Sequence, residues 1–283
     1  MILLDFSNII VGSIMVAHKI PNEERTSEDF IRHLVLNSVR NYRTKYKAKF
    51  GEIVVCTDNM SSWRKVEYKY YKAHRKIKRE KQDKEGMDWS ALFQTINKNI
   101  LEIDEFFPYK VVSVPHAEGD DVIAVLAALE REKSIIISSD KDFIQLQKYQ
   151  EVRQWSPLQK KFIKGDPVES LYDKTSRGES GDGVPNILSS DDTFITEGKR
   201  QTPVTKKKME LWRGKKPEEF CNEVMLRNYH RNKTLVDLGE TPKSIRINIL
   251  NQYDNQEAGD RSKLWNYFID KRLKNLMDVI DEF

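Results

Sequence analysis

Four segments of this chain have the make-up of buried strands, and each of them runs into acidic residues. Ile2–Leu4 leads to Asp5, Ile53–Thr57 to Asp58, and Ser134–Ser138 to Asp140, with Asp142 two positions further on. Lys110–Val114 is followed by Pro115, His116 and Ala117, and then by Glu118, Asp120 and Asp121 at the start of a helical pattern. Short β-branched runs of this kind suit strands covered on both faces. Between them, apolar residues recur at helical spacing: Phe30, Ile31, Leu34, Val35, Leu36, Val39 and Tyr42; then Trp89, Leu92, Phe93, Ile96, Ile100, Leu101, Ile103, Phe106 and Phe107; then Val122, Ile123, Val125, Leu126 and Leu129. Strands that alternate with helices predict a mostly parallel sheet with helices on both faces. Glu151–Trp155 and Lys160–Ile163, joined through Ser156 and Pro157, predict a small hairpin closing that unit.

After about Gly165 the strand signals fade. Helical patterns cover Glu218–Tyr229, Lys243–Tyr253 and Arg261–Ile280, and the stretch from Gly178 to Pro203, rich in Gly, Ser, Asp and Thr, reads as a surface loop. The expected fold class is therefore α/β: a central, mostly parallel sheet flanked by helices over residues 1–165, followed by a helical region over 166–283.

In open α/β sheets, ligands bind beyond the carboxyl ends of the strands. Carboxylates gathered there repel one another unless cations neutralise them. Ligation by oxygen alone, with neither His nor Cys, points to Mg²⁺ or Mn²⁺ rather than zinc. Any one of these acids has a plainer use, because Asp at the end of a strand often caps the next helix and acids favour a helix start. Capping does not, however, call for an acid at all four crossings. A phosphoaspartate phosphatase lacks support, since Asp5-Phe6-Ser7 has no second Asp two residues after the first.

Charge is segregated along the chain. Residues 64–85 hold ten Lys or Arg against four acids, and residues 199–216 hold eight against Glu210 alone. With +4 overall, strips of +6 and +7 leave −9 on the rest of the 283 residues. Two basic strips on an acidic body imply a polyanion held at two places. In the first strip Trp63, Tyr68, Tyr70, Tyr71 and His74 are interleaved with the cations, a mixture that suits unstacked bases and a phosphate backbone. No apolar run is long enough to span a bilayer, and Met1-Ile-Leu-Leu is cut short by Asp5, unlike a signal peptide. Cys56 and Cys221 form no CxxC pattern, which excludes a disulfide framework or a cysteine zinc site and makes a reducing cytoplasm the expected compartment.

Taken together, Leu4-Asp5-Phe6-Ser7, Cys56-Thr57-Asp58-Asn59, Trp63-Arg64 and Tyr71-Lys72-Ala73-His74-Arg75 resemble the flap endonuclease, or five-prime nuclease, superfamily, in particular its T-even-type phage ribonuclease H branch. The same order continues in Glu118-Gly119-Asp120-Asp121, Ser138-Ser139-Asp140-Lys141-Asp142-Phe143, Gln154-Trp155-Ser156-Pro157 and Gly178-Glu179-Ser180-Gly181-Asp182-Gly183-Val184-Pro185. The resemblance implies a PIN-like nuclease core and a two-metal phosphodiesterase acting at 5′ ends. Asp5, Asp58, Glu118 and Asp120 would surround one Mg²⁺, and Asp140, Asp142, Glu179 and Asp182 the other, with Asp121 nearby and Mn²⁺ as a substitute. A basic arch at about 60–87 would place Lys72, Arg75 and Arg64 at the scissile phosphate, with Lys65, Tyr68, Lys69 and Tyr71 along the single strand.

Gly181–Ile187 resembles the start of a helix-hairpin-helix that grips duplex through main-chain amides, Gly181 and Gly183 among them, with Lys206, Lys207 and Lys208 extending the grip. Glu179 stands where the family usually has Asp, and the residues after Ile187 leave a K⁺ in that hairpin open. The resemblance thus implies a monomeric, Mg²⁺-dependent 5′→3′ exonuclease and flap endonuclease with ribonuclease H activity. It would act on DNA flaps, nicked or 5′-overhang duplexes and RNA–DNA hybrids in phage replication, in the host cytoplasm if phage-encoded. A single-strand DNA-binding protein and a sliding clamp are the implied partners, and no membrane is involved. The competing expectations are a structure-specific DNA-binding protein that has lost catalysis, which would have no use for nine retained acids, and a small-molecule phosphatase, which leaves both basic strips without a purpose.

Overall fold

The computed structural model describes residues 1–17, 28–59, 61–84 and 89–283, without the side chains of 13, 15–17, 81–84 and 92. Position 60 and positions 85–87 of the expected arch lie outside the described residues. Six strands form one sheet: β1 (Ile2–Asp5), β2 (Ile53–Cys56), β3 (Lys110–Val112), β4 (Ser134–Ile137), β5 (Val152–Ser156) and β6 (Lys161–Ile163). Their order is β3-β2-β1-β4-β5-β6. Strands β1 to β5 are parallel and β6 runs antiparallel on β5, as the hairpin expectation required. Leu4 lies between Val55 and Ile137 in register. All residues of β1, β2 and β4 are buried, which is why these strands read as unbroken apolar runs.

Alternation along β1 divides the interior in two. Ile2 and Leu4 face a core built with α1 (Phe6–Ala17), α2 (Glu28–Phe50) and α5 (Trp89–Phe106). Met1 and Leu3 face a second core with α6 (Gly119–Ala127) and a 3-10 helix over Lys141–Lys148. Two short helices, α3 (Trp63–Glu67) and α4 (Ala73–Lys84), follow β2. Beyond β6 lie α7 (Pro167–Arg177), α8 (Lys206–Trp212), α9 (Pro217–Phe220), α10 (Glu223–Val236), α11 (Lys243–Asn255), α12 (Ser262–Asp270) and α13 (Lys274–Met277). Among the described residues no named strand follows Ile163. Ile245 and Ile249 of α11 complete the second core, and Leu264, Tyr267 and Phe268 of α12 complete the first. Both cores thus draw on chain beyond residue 165. No helix among the described residues is long and apolar enough to cross a membrane.

Helices α1 and α7 form where the sequence expectation names none, and three of the expected elements differ from it. The helix expected over Glu218–Tyr229 is two, because the Asn222 side chain accepts from the Met225 amide at 2.9 Å and caps a new start. The helix expected over Arg261–Ile280 breaks near Arg272, whose φ of 54° lies in the left-handed region. The stretch 178–203 is not a loose surface loop, since Val184 and Ile187 are fully buried within it. Nor does a second helix follow the 179–184 turn directly, as a helix-hairpin-helix would need. Asn186 Oδ1 accepts from the Leu188 amide at 3.0 Å and the Ser189 hydroxyl at 2.9 Å, local bonding that competes with a helix. Turns occupy the chain until α8 begins at Lys206.

Candidate active site

The chain leaves β1 for β2 and β3 on one side and returns to β4 and β5 on the other, so the crevice of an open sheet falls between the carboxyl ends of β1 and β4. Asp5 closes β1, and Asp140 follows β4. Ser138 Oγ donates to Asp5 Oδ2 at 2.6 Å, and the Asn8 amide to Asp5 Oδ1 at 3.1 Å. Asp140 Oδ1 accepts from the Asp142 amide at 2.8 Å, and Asp58 Oδ1 from the Gly119 amide at 2.8 Å. These acids do serve helix starts and turns, as the plainer account holds. The same carboxylates nevertheless line one cleft of about 630 Å³, together with Asp120, Asp142, Glu179 and Asp182. Lys72, Arg75, Arg79, Lys141 and Lys174 share its walls, and Trp89 and Phe93 contribute an aromatic flank.

The electrostatics separate the acids into two kinds. Burial and the charges of Asp58 and Asp140 push the Asp5 carboxyl up to about 7, against hydrogen bonds from Ser138 and Asn8. Asp142, buried beside Asp140, is likewise pushed to about 7 in spite of Lys174. Asp120 stands well above the usual carboxylate range, through burial and through Asp5 and Asp140. Glu118 behaves in the opposite way. Burial raises its carboxyl, but Lys72 and Arg64 outweigh that effect and hold it below the usual range.

Glu118 is gripped on both oxygens. Lys72 Nζ donates to Oε1 at 2.5 Å, while Arg64 Nη1 at 3.1 Å and the Tyr71 hydroxyl at 2.9 Å donate to Oε2. Arg64 is therefore not placed as expected at a phosphate. Its side chain is 2% exposed and spends its donors on Asp121, Glu118 and the Leu235 carbonyl. Asp121, 0% exposed, does not face the cleft either. Trp63 Nε1, Arg64, Thr241 Oγ1 and the Glu118 amide saturate its two oxygens.

The expected nucleic-acid residues fall into three groups. Lys65, Lys69, Lys206 and Lys207 are exposed, Lys208 is half-buried, and Gly181 is exposed at the turn. Tyr68 and Tyr71 are buried with Val184, Leu235 and Val236, and so form no base-stacking track. The Tyr68 hydroxyl donates to the Asp191 carbonyl at 2.5 Å, and that of Tyr71 reaches Asp182 at 3.0 Å as well as Glu118. Gly183 is buried at φ 72°, and its amide already donates to the Ser180 carbonyl at 3.2 Å, so it offers no free N–H to a phosphate. A Cβ at Gly183 would stand 2.9 Å from His74 Nδ1. The base of α4 is tied to this turn: the Lys72 amide donates to the Asp182 carbonyl at 2.7 Å, Arg75 Nε to the Gly181 carbonyl at 2.9 Å, and Arg75 Nη2 to Asp182 Oδ1 at 2.6 Å.

Lys174 was not singled out from the sequence, yet it pairs with both Asp142 and Glu179, at 2.7 Å from the latter. Its only sequence signal is its place five residues before Glu179, and on α7 that looks like any solvated lysine. Thr241 gave no signal at all. Among the described residues no three acidic, imidazole or thiol groups are gathered tightly enough to enclose a metal ion, and Lys72, Arg75 and Lys174 supply the positive charge between the carboxylates. The donor chemistry itself fits a hard divalent cation. It is all oxygen, and Asp5, Asp120 and Asp142 are held above their usual range by neighbouring carboxylates as well as by burial.

Comparison with known proteins bears on the family and the fold. Residues 2–174 match the family described as 5′-3′ exonuclease, N-terminal resolvase-like domain, and residues 165–283 match that described as T4 RNase H, C terminal. The chain is 33% identical to ribonuclease H of Enterobacteria phage T4 over 294 aligned residues, covering 99% of this chain and 95% of that protein. It is 28% identical to the exodeoxyribonuclease of Enterobacteria phage T3, over 59% of this chain and 56% of that one. Among solved structures, the D15 protein of bacteriophage T5 crystallised with metal ions has the same fold, with a TM-score of 0.64 at 14% identity over 89% of this chain and 98% of that one. The T5 D15 flap endonuclease in a pseudo-enzyme-product complex with DNA and metal ions aligns with a TM-score of 0.63 at 16% identity, over 90% and 99% of the two chains.

Proposed function

The chain belongs to the 5′-3′ exonuclease family, and from that premise we propose that it is an Mg²⁺-dependent 5′ nuclease with ribonuclease H activity, which trims 5′ ends, cuts flaps and clears RNA primers from lagging-strand fragments in phage replication. The observation that carries this is the cleft itself, with seven carboxylates below Lys72 and Arg75 at the strand-order reversal of the sheet.

Asp5, Asp58, Glu118 and Asp120 would hold one divalent ion, and Asp140, Asp142, Glu179 and Asp182 a second. Bound there, the ions supply a more acidic water and positive charge for the departing oxygen. Lys72 and Arg75 reach the scissile phosphate and stabilise the negative charge that develops on it. Both now rest on acids of the site, Lys72 on Glu118 and Arg75 on Asp182, so each has a carboxylate to exchange for a phosphate. Lys65 and Lys69 follow the single strand, and Gly181 with Lys206, Lys207 and Lys208 holds the duplex. A single-strand DNA-binding protein and a sliding clamp are the partners this role calls for.

The test is the incubation of 5′-labelled RNA-primed duplexes and DNA-flap duplexes with Mg²⁺ and with EDTA. Short 5′ products that form only with Mg²⁺ are expected. Tight binding of both duplexes with no product at any Mg²⁺ concentration would leave a DNA-binding protein without catalysis.

A further inference from the structure

The end of α10 reaches the back of the active site at two points. The last carbonyls of a helix lack intrahelical partners. Here that of Leu235 accepts from Arg64 Nε at 2.9 Å, and that of Val236 from Gln145 Nε2 at 2.9 Å. Just beyond, Thr241 is buried and directs its hydroxyl to Asp121 Oδ1 at 2.8 Å. Asp121 in turn holds Arg64 through both η nitrogens at 2.9 Å, and accepts from the Glu118 amide at 2.9 Å. Arg64 Nη1 also reaches Glu118 Oε2. Glu118 is therefore fixed through its side chain and its backbone by a pair that is held in turn by Trp63, by the Leu235 carbonyl and by Thr241.

The adjacent turn of α10 meets the region proposed to contact duplex. Arg231, in the middle of α10, donates to the Pro185 carbonyl at 2.8 Å and pairs with Asp191, while Asn232 donates to the same Pro185 carbonyl at 2.9 Å. The last two turns of α10 thus touch both the 185–191 turns and the Glu118 support.

We infer that Thr241 is a positioning residue for Glu118, and that through Asp121 and Arg64 it couples the seating of α10 to the geometry of the cleft. Thr241 is buried and does not line the cleft; its hydroxyl meets Asp121 Oδ1 and lies 3.2 Å from the Leu238 carbonyl just after α10, so its effect on the cleft passes through Asp121. The inference rests on the nuclease function proposed above. If the Thr241 hydroxyl is lost, Asp121 Oδ1 keeps its Arg64 and Trp63 donors but loses its direct tie to the segment that follows α10. Arg64 keeps the Leu235 carbonyl, but the Arg64–Asp121 pair that holds Glu118 has lost one of its fixed donors and is less tightly placed.

Thr241→Val preserves shape and removes the donor, and Thr241→Ser keeps the donor. Single-turnover cleavage of one flap duplex, its binding constant in Ca²⁺, the Mg²⁺ midpoint and the melting temperature are measured for each. Misplacement of a supporting group by about 1 Å can cost about 10² in rate. Thr241→Val should therefore cleave about 10- to 100-fold more slowly and need more Mg²⁺, with duplex binding within about twofold of wild type. Thr241→Ser should return to within about threefold of wild type in rate. Unchanged cleavage by Thr241→Val, an equal loss of binding and rate, or failure of Thr241→Ser to restore the rate would each overturn the inference. Should the valine variant not fold, Thr241→Cys, whose thiol is only a weak donor, is held to the same outcomes. Wild-type protein that cuts nothing would instead overturn the nuclease proposal.

Discussion

Glu118 and Asp121 lie three positions apart at the start of α6 and differ in role because their neighbours differ. Asp121 is sealed beneath Arg64 and Trp63, while Glu118, itself not among the carboxylates that line the cleft, contacts Tyr71 and the cleft residue Lys72. Removing one partner from a buried ion pair leaves an uncompensated charge, at a cost of about 3–5 kcal/mol. Arg64→Met should therefore destabilise the fold by about that amount, read as a lower midpoint in urea with the slope unchanged. A loss under about 1 kcal/mol would mean that solvent reaches Asp121 after all. Asp142 presents the reverse case. Burial and the charge of Asp140 raise its carboxyl further than Lys174 lowers it, so Asp142→Asn relieves that penalty as it removes charge from the cleft, and Lys174 keeps Glu179 as a partner. The melting temperature should hold or rise and flap binding should stay within about tenfold, while cleavage falls by about 10³ or more, the scale of losing a catalytic electrostatic group. Near-normal cleavage at saturating Mg²⁺ would remove Asp142 from the site.

At the scale of elements, α2, α5 and α12 are held together by charge as well as by apolar packing. Arg32 of α2 donates to Glu102 of α5 at 2.9 Å, and the Tyr267 hydroxyl of α12 donates to the same carboxylate at 2.7 Å. Burial raises the Glu102 carboxyl, but these bonds outweigh it and leave the group below its usual 4.5. A carboxyl whose folded pKa is depressed adds stability above its unfolded pKa and loses it as pH falls through the folded one. The melting temperature should therefore drop as pH falls below about 4.5, and Glu102→Gln, less stable at neutral pH, should show a flatter dependence there. Parallel curves for the two proteins would remove Glu102 from the acid transition. The strands and the long helices of these layers were legible in the sequence, because a segment buried on both faces or along one stripe must carry that pattern. The acidic strand ends were legible for the same reason, since the sheet fixes where each Asp emerges. The breaks at Asn222 and Arg272 were not, because one cap or one left-handed residue decides them against an otherwise continuous helical pattern. Arg64, Tyr68 and Tyr71 were placed on the wrong side of the chain: composition shows cations among aromatics, but not which of them a five-residue helix and the turn after it press into the core.

Across the whole molecule, the two basic strips stand on different supports, and this sets what each can do. The first is bound to the cleft through Lys72, Arg75 and the 179–184 turn, so on the proposed function Lys72 and Arg75 act where the phosphate is cut. The second opens α8 with Lys206, Lys207 and Lys208, an arrangement that opposes the helix dipole and brings no carboxylate partner in the ion pairs of the described residues. Positive charge kept at that cost, and exposed at Lys206 and Lys207, is suited to a long anion such as a duplex backbone. Each duplex phosphate neutralised releases counterions and adds about 0.9 to the slope of log affinity against log salt. Replacing Lys206, Lys207 and Lys208 by Ala should therefore weaken flap-duplex binding and flatten that slope by roughly 0.9 for each phosphate no longer neutralised, while single-turnover cleavage of fully bound substrate stays near wild type. Replacing Lys72 and Arg75 by Ala should do the opposite, with cleavage lowered by about 10² or more and a salt slope that changes by no more than the roughly 0.9 of the single scissile phosphate. Affinity, salt slope and bound-state rate are all measured on one duplex, so a shared phenotype cannot be blamed on the substrate. If both sets of variants lost affinity and rate together, the strips would form one continuous binding surface, and the division between cutting and holding would fail.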